Sequence, residues 1–304
     1  MSGPTFSPDI IGDLQQMLQY QFMVHAFEAG TLIALVAGIV GYLVVIRRSA
    51  FAAHSLAHTG LAGGAGAVLL GVNPVFGLLA FTMGSGTGMA LLGRRAAQRD
   101  VVIGIVLAFM LGLGLLFISL YKGGEAELAY SILFGEILGI SADAVALTFY
   151  AVVAILVALA VVFRPLLFSA LDEDVAEAKG MPTLALGVVF LLLVAAAVSM
   201  AVQVVGILLV FSLMVTPAAI AVRLADRPAA AVALSVAVAL SVTWLGLFVA
   251  FYLSPPVSFF ITGFAFAAYV LVRGLGSLRS WLAGRAATRA EVGAGGGASR
   301  AAGP

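Results

Sequence analysis

From Thr183 to Val222 the chain reads TLALGVVFLLLVAAAVSMAVQVVGILLVFSLMVTPAAIAV, forty consecutive residues without an Asp, Glu, Lys or Arg. One crossing of the hydrocarbon core takes about 20 apolar residues. The stretch therefore holds two spans, 183–202 and 204–222, with little more than Gln203 between them, which predicts a tight turn there. In lipid every backbone N–H and C=O must be paired within its own segment or within a closed barrel. The apolar residues run on continuously rather than alternating, which selects helices over a barrel.

Read outward from this pair, further spans fall at 22–46, 50–72, 75–93, 101–121, 142–163, 229–253 and 257–272. A short apolar piece at about 130–140 is too short to cross alone and is read as a half-helix or re-entrant segment. The whole composition agrees: 63% of the 304 residues are hydrophobic, 10% are charged and the mean hydropathy is +1.18. A soluble domain is about 45–50% apolar and about 25% charged. The predicted fold is an all-α polytopic membrane protein of about nine transmembrane helices, eight to ten being compatible with the pattern. Residues 1–21 form an outer interfacial amphipathic helix, with Ile10, Ile11, Leu14, Met17 and Leu18 at helical spacing. Residues 22–275 are the membrane domain, and 276–304, rich in Ala, Gly and Arg, are a disordered cytoplasmic tail.

Lys and Arg concentrate in cytoplasmic loops. With nine spans, 14 of the 15 basic residues fall on one side, and Lys122 alone on the other. That places the N-terminus outside and the C-terminus in the cytoplasm. The first twenty residues hold no Lys or Arg, so a cleaved signal peptide is not expected.

Several chemistries are excluded. There is no cysteine, so there are no thiolate metal sites and no disulfides. No G-x-x-x-x-G-K-[ST] phosphate loop is present, and the only lysines are Lys122 and Lys179. Neither an H-E-x-x-H nor a G-x-S-x-G motif occurs. The chain is not expected to be an enzyme, nor to bind nucleic acid.

An ionisable group inside a span costs a few kcal/mol, which makes each one a functional candidate. In Ala53-His54-Ser55-Leu56-Ala57-His58 two imidazoles stand at i and i+4 on one helix face, the spacing that binds a divalent metal. From a start at Ala50, His54 lies about 6 Å and His58 about 12 Å into the span. The competing reading has both histidines bonded to backbone or to each other, lining nothing. Glu136, the one acid of the re-entrant piece, is either a metal ligand or gate, or a cap on a neighbouring helix. Asp143 reads as a first-turn acid favouring the helix dipole, and His25 with Glu28 as an interfacial pair. Glycines 60, 63, 64 and 66 read as a helix-packing face. Pro217 is expected to kink its span. The loop 164–182 carries an amphipathic helix over about 166–180, with Leu171, Val175 and Ala178 on one face and Gly180 and Pro182 ending it. It packs on the protein's own spans or docks in a cytoplasmic partner.

Taken together, the residues resemble the membrane permease subunits of zinc-, manganese- and iron-type ABC importers over about 20–275. The resemblance rests on Phe22-Met23, Ala26, Ala29-Gly30, Gly41, Arg47-Arg48, Ser49, Phe51, His58, Gly60 and Gly63. It continues through Leu133-Phe134-Gly135, Asp172, Ala176, Ala178, Gly180, Val205 to Leu209 and Pro217-Ala218-Ala219. It implies a homodimer in the bacterial plasma membrane that binds two copies of a separate ATPase and receives metal from an extracytoplasmic binding protein. It also implies that the 166–180 helix is the coupling helix, with Leu171, Asp172, Val175, Ala176 and Gly180 meeting the ATPase. In the family an Asp precedes the span-two His by four residues. His58 matches the His and His54 stands in place of the Asp, which shifts preference from manganese toward zinc by ligand softness. The expected metal set is His54, His58 and Glu136. Two other readings stay open: a permease for a chelate such as a siderophore or cobalamin, and a secondary metal carrier needing no ATPase. The buried histidines also weigh against a purely structural membrane protein.

Overall fold

The computed structural model describes residues 10–93, 96–121, 135, 137–253 and 256–276. Among these the regular structure is helical. The helices are α1 (Ile10–Leu18), α2 (Gln21–Ile46), α3 (Ala50–Leu69), α4 (Pro74–Leu92), α5 (Ala96–Ser119), α6 (Ala142–Leu171), α7 (Glu173–Ala178), α8 (Thr183–Val205), α9 (Ile207–Leu224), α10 (Pro228–Tyr252) and α11 (Val257–Gly276). Among the described residues eight helices are long and apolar enough to cross a membrane: α2, α4, α5, α6 and α8 to α11. α3 is the other long helix. Its 20 residues reach about 30 Å, but its histidines, hydroxyls and glycines keep it off the apolar set.

Two helices form the centre. In α2 and α8 67% of the most apolar window is buried, against 11% in α5, 17% in α11 and 22% in α6. α2 packs on α6, α8, α9 and α10, whereas α3 packs on α4, α5 and α8 and touches α9. The rim helices keep large apolar side chains outward, among them Phe109, Leu115, Val157, Val161 and Phe266, which suits a lipid-facing surface.

Without a hydrophobic force between helices in lipid, close packing and interhelical hydrogen bonds hold the bundle. A Cβ placed on Gly63 of α3 would fall on the Gly77 carbonyl oxygen of α4, and one on Gly77 would fall on that of Gly63. Of the predicted glycine face, Gly63 makes a backbone-to-backbone contact, whereas Gly60 faces the Leu78 side chain of α4 and Gly66 the Phe117 ring of α5. Hydroxyls supply the rest. Ser235 Oγ donates to Gly38 O at 2.8 Å across α10 and α2, Thr82 and Ser199 share a 2.6 Å bond across α4 and α8, and Tyr121 Oη donates to Ala65 O at 2.9 Å.

Three boundaries differ from the sequence reading. The α8–α9 break falls at Gly206 and not at Gln203, which stays inside α8. Gly206 takes φ +80°, a left-handed value that costs little only without a Cβ. Gly135, at φ +74°, lies directly against the Val205–Gly206 backbone. Second, the predicted span at 142–163 does not end near Arg164-Pro165. α6 continues through Pro165 to Leu171, and its packed last turns carry Leu166 and Ser169, both buried. The separate short helix expected in this loop is thus α7 rather than all of 166–180. Third, α11 extends to Gly276. α9 runs on through Pro217. Glu136, most of the 130–140 piece and the tail from 277 onward lie outside the described residues.

The Gly63–Gly77 contact predicts that Gly63→Val will cost at least about 1–3 kcal/mol through overpacking. Gly84→Ala, at a helical position with nothing within 4 Å, should be neutral or stabilising. Thermal unfolding of the detergent-purified variants checks this, and equal melting of the two would contradict it.

Candidate metal pathway and cytoplasmic helix

α3 buries one side completely and leaves the other partly open. Ala53, Ser55, Leu56, Ala57 and Thr59 are buried, while His54 and His58 are half-buried. The hydroxyls of the buried side are used up locally: Thr59 Oγ1 donates to Leu56 O at 2.8 Å, and Ser55 Oγ donates to Ile103 O at 3.5 Å on α5. They hold α3 in place and leave the imidazoles for other partners.

The two histidine rings lie with centroids 4.6 Å apart at 78°. The helical spacing is therefore realised as a side-chain contact. Phe211 of α9 stands edge-on to His54, with centroids 4.9 Å apart at 71°. This aromatic wall was not foreseen, since nothing local to Phe211 marks it. It arises from the Gly206 break, which starts α9 five residues earlier. A metal ligand must be deprotonated, so either imidazole could bind a metal only in its neutral form.

Among the described residues no three His, Asp or Glu side chains gather into a fuller ligand set. Glu136 lies outside those residues, but its neighbour Gly135 sits at the α8–α9 break and Ile137 is buried. Gly135 thus lies next to the start of the helix that bears Phe211. His25 and Glu28 are not joined to the pair. With Trp244, Thr31 and Tyr150 they line a separate cavity of about 640 Å³ between α2, α6 and α10. Asp143 sits in the first turn of α6 behind a Ser141 cap, as its dipole reading predicts.

At the other candidate segment, Asp172 leaves helical geometry at φ −151° and accepts from Val175 N at 2.9 Å, capping α7. Leu171 and Val175 are exposed, at 70% and 42%, whereas Ala176 is fully buried. Of the residues expected on a partner-facing surface, Ala176 instead anchors α7 to α6 and α8. Gly180 has φ +75° and open space around it. Glu173, Asp174 and Glu177 line a polar cavity of about 380 Å³ with Arg47.

Comparison with known proteins places this architecture. Residues 19–274 match the sequence profile of the ABC 3 transport family. An uncharacterized membrane protein of Synechocystis sp. is 31% identical over 216 residues, covering 71% of this chain and 76% of that protein. The manganese transport system membrane protein MntC of Listeria monocytogenes is 27% identical, covering 70% and 76%. The solved structure of PsaBC from Streptococcus pneumoniae in complex with Fab aligns with TM-score 0.77 at 26% identity, covering 86% of this chain and 95% of that one. A metal-chelate type ABC transporter in an inward-facing conformation aligns with TM-score 0.69 at 17% identity, covering 90% of each, which shows a shared fold.

The Asp172 cap gives a local prediction. Asp172→Ala should destabilise α7 by about 1 kcal/mol, and Asp172→Asn by much less. Amide exchange over 173–178 should accelerate in the first variant only, and unchanged exchange in Asp172→Ala would remove the cap from the account.

Proposed function

Since the chain belongs to the ABC 3 transport family, the permeases of metal-type ABC importers, we propose that it carries a divalent transition metal into the cytoplasm with His54 and His58 as transient ligands. The observation that carries this reading is the contact between the two imidazoles on the partly open side of an otherwise buried helix. Two nitrogen ligands bind a transition metal without enclosing it. The rest of the coordination shell stays exchangeable, which is what a site that must release its cargo needs.

Zinc is the proposed cargo. Imidazole suits zinc, whereas manganese favours carboxylate, carbonyl and water oxygens. Manganese is the second reading, because that is the metal in the name of the Listeria relative. Glu136, the acid expected in the metal set from the sequence, would supply the oxygen ligand that manganese prefers. Neither cargo changes the source of power. The sequence holds no phosphate loop, so ATP must be hydrolysed by a separate cytoplasmic subunit. That subunit would meet the exposed Leu171 and Val175 at α7. Two copies of the permease would bind two copies of the ATPase, with an extracytoplasmic protein delivering metal. The arginine distribution supports an N-terminus outside and a C-terminus in the cytoplasm of a bacterial plasma membrane. The histidine pair also argues against a chelate as cargo, which would need no intramembrane ligands.

The test is metal accumulation in cells lacking high-affinity zinc and manganese uptake that express the permease with its ATPase and binding protein. The expected result is zinc uptake that requires all three, and that falls at least about tenfold in His58→Ala, as for loss of one good ligand interaction. Manganese uptake with the same dependence would reassign the cargo. Uptake unchanged by His58→Ala, at equal membrane levels, would overturn the site.

A further inference from the structure

Arg47 and Arg48 leave α2 side by side, yet they behave differently. Arg48 is exposed, as expected of a basic residue anchoring a helix end at the membrane surface. Arg47 turns inward. Its Nη1 donates to Ser169 Oγ at 2.8 Å and to Leu166 O at 3.3 Å, and its guanidinium lies 4.8 Å from the centre of the Phe190 ring. Leu166, Ser169 and Phe190 are each at most 4% exposed. One side chain of α2 thus grips the last turns of α6 and the side of α8 at once. Only arginine offers several fixed donors and a planar face for an aromatic ring together.

What lies on each side of this grip matters. Beyond Ser169, α6 ends and Asp172 starts α7, the segment expected to meet the ATPase. Beyond Arg47, the chain turns once and enters α3, which carries His54 and His58. That turn is tightly closed. Arg48 N donates to Val45 O at 3.1 Å and Ser49 N to Val44 O at 2.8 Å, with Arg48 at φ +52°. These are the two reciprocal bonds of a Schellman cap. Ser49 Oγ also donates back to Arg47 O at 3.1 Å. A turn so cross-bonded moves as a unit, so displacing Arg47 displaces the start of α3.

We infer that Arg47 is the positioning residue that transmits movement of the ATPase-facing segment to the histidine helix, so that metal release follows ATP hydrolysis. This rests on the transport reading above. It assigns Arg47 no contact with metal or nucleotide. The same grip accounts for the continuity of α6 beyond Pro165, since the Leu166 carbonyl just past the proline is one of the groups it holds.

Two measurements test it, the first independent of transport. The chain has no native cysteine, so nitroxides on Leu171→Cys and Phe51→Cys, both exposed sites, report the distance between the two segments in nanodiscs. Arg47→Gln and, separately, Ser169→Ala should broaden or shift that distance relative to the parent, with Arg47→Lys intermediate. An unchanged distribution in both variants overturns the clasp. The second measurement reconstitutes the permease with its ATPase and binding protein in liposomes and counts zinc or manganese ions moved per ATP hydrolysed. Arg47→Gln should lower that ratio about tenfold, the size of an ordinary coupling energy, with hydrolysis nearly retained. A ratio equal to the parent's overturns the inference, as does parallel loss of hydrolysis, uptake and folded protein in Arg47→Gln and Ser169→Ala together. A parent that moves no metal sinks the transport reading instead, and the distance measurement still decides the clasp.

Discussion

Everything in this chain follows from the cost of an unpaired backbone polar group in lipid. With no water to satisfy N–H and C=O, the polypeptide forms helices wherever it crosses. The helices must then adhere without a hydrophobic force between them. That leaves shape and a few hydrogen bonds, which is why small residues and hydroxyls stand at the closest helix contacts, among larger buried side chains such as Ile33, Leu43 and Phe190. α3 and α4 meet backbone to backbone at Gly63 and Gly77, Ser235 donates from α10 to α2, and Thr82 and Ser199 share one bond between α4 and α8. The same constraint lets function stand out. A polar side chain such as His54 or His58 in such a bundle is a candidate for function, because an ionisable group there is costly.

The two candidate segments are built on opposite logics. The histidine pair needs only local geometry: an α-helix places i and i+4 together, and the rings meet at 4.6 Å. The α7 segment needs tertiary contacts. Its short helix is too brief to be stable alone, and it is fixed by the Asp172 cap, by the buried Ala176 and by the packing of α6 just before it. Arg47 joins the two logics. It sits where a locally determined turn, closed by its own backbone bonds, touches a segment that only the fold brings near.

The departures from the sequence reading share one cause. Gln203 looked like a turn because it is the one strongly polar residue in forty, yet a helix tolerates a glutamine and a reversal needs a residue that accepts φ +80°, which is Gly206. Arg164-Pro165 looked like a helix end because proline removes a hydrogen bond and crowds the preceding turn. The helix persists there because buried contacts at Leu166 and Ser169 hold the turn that follows. In both places local propensity named a plausible boundary and packing chose another.

The sequence by itself determined the solvent, the helical class, most span boundaries to within a few residues, though not the end of α6, and the pairing of His54 with His58. Each of these depends on hydropathy or on a period of 3.6 residues, and both are properties of neighbours along the chain. Only the tertiary structure decided that Phe211 walls His54, that Gly135 seats at the Gly206 break, that Ala176 faces inward, and that Arg47 reaches residues more than a hundred positions away. Those contacts are set by how helices cross. Crossing depends on which small residues permit close approach, and no pattern of neighbouring residues encodes it.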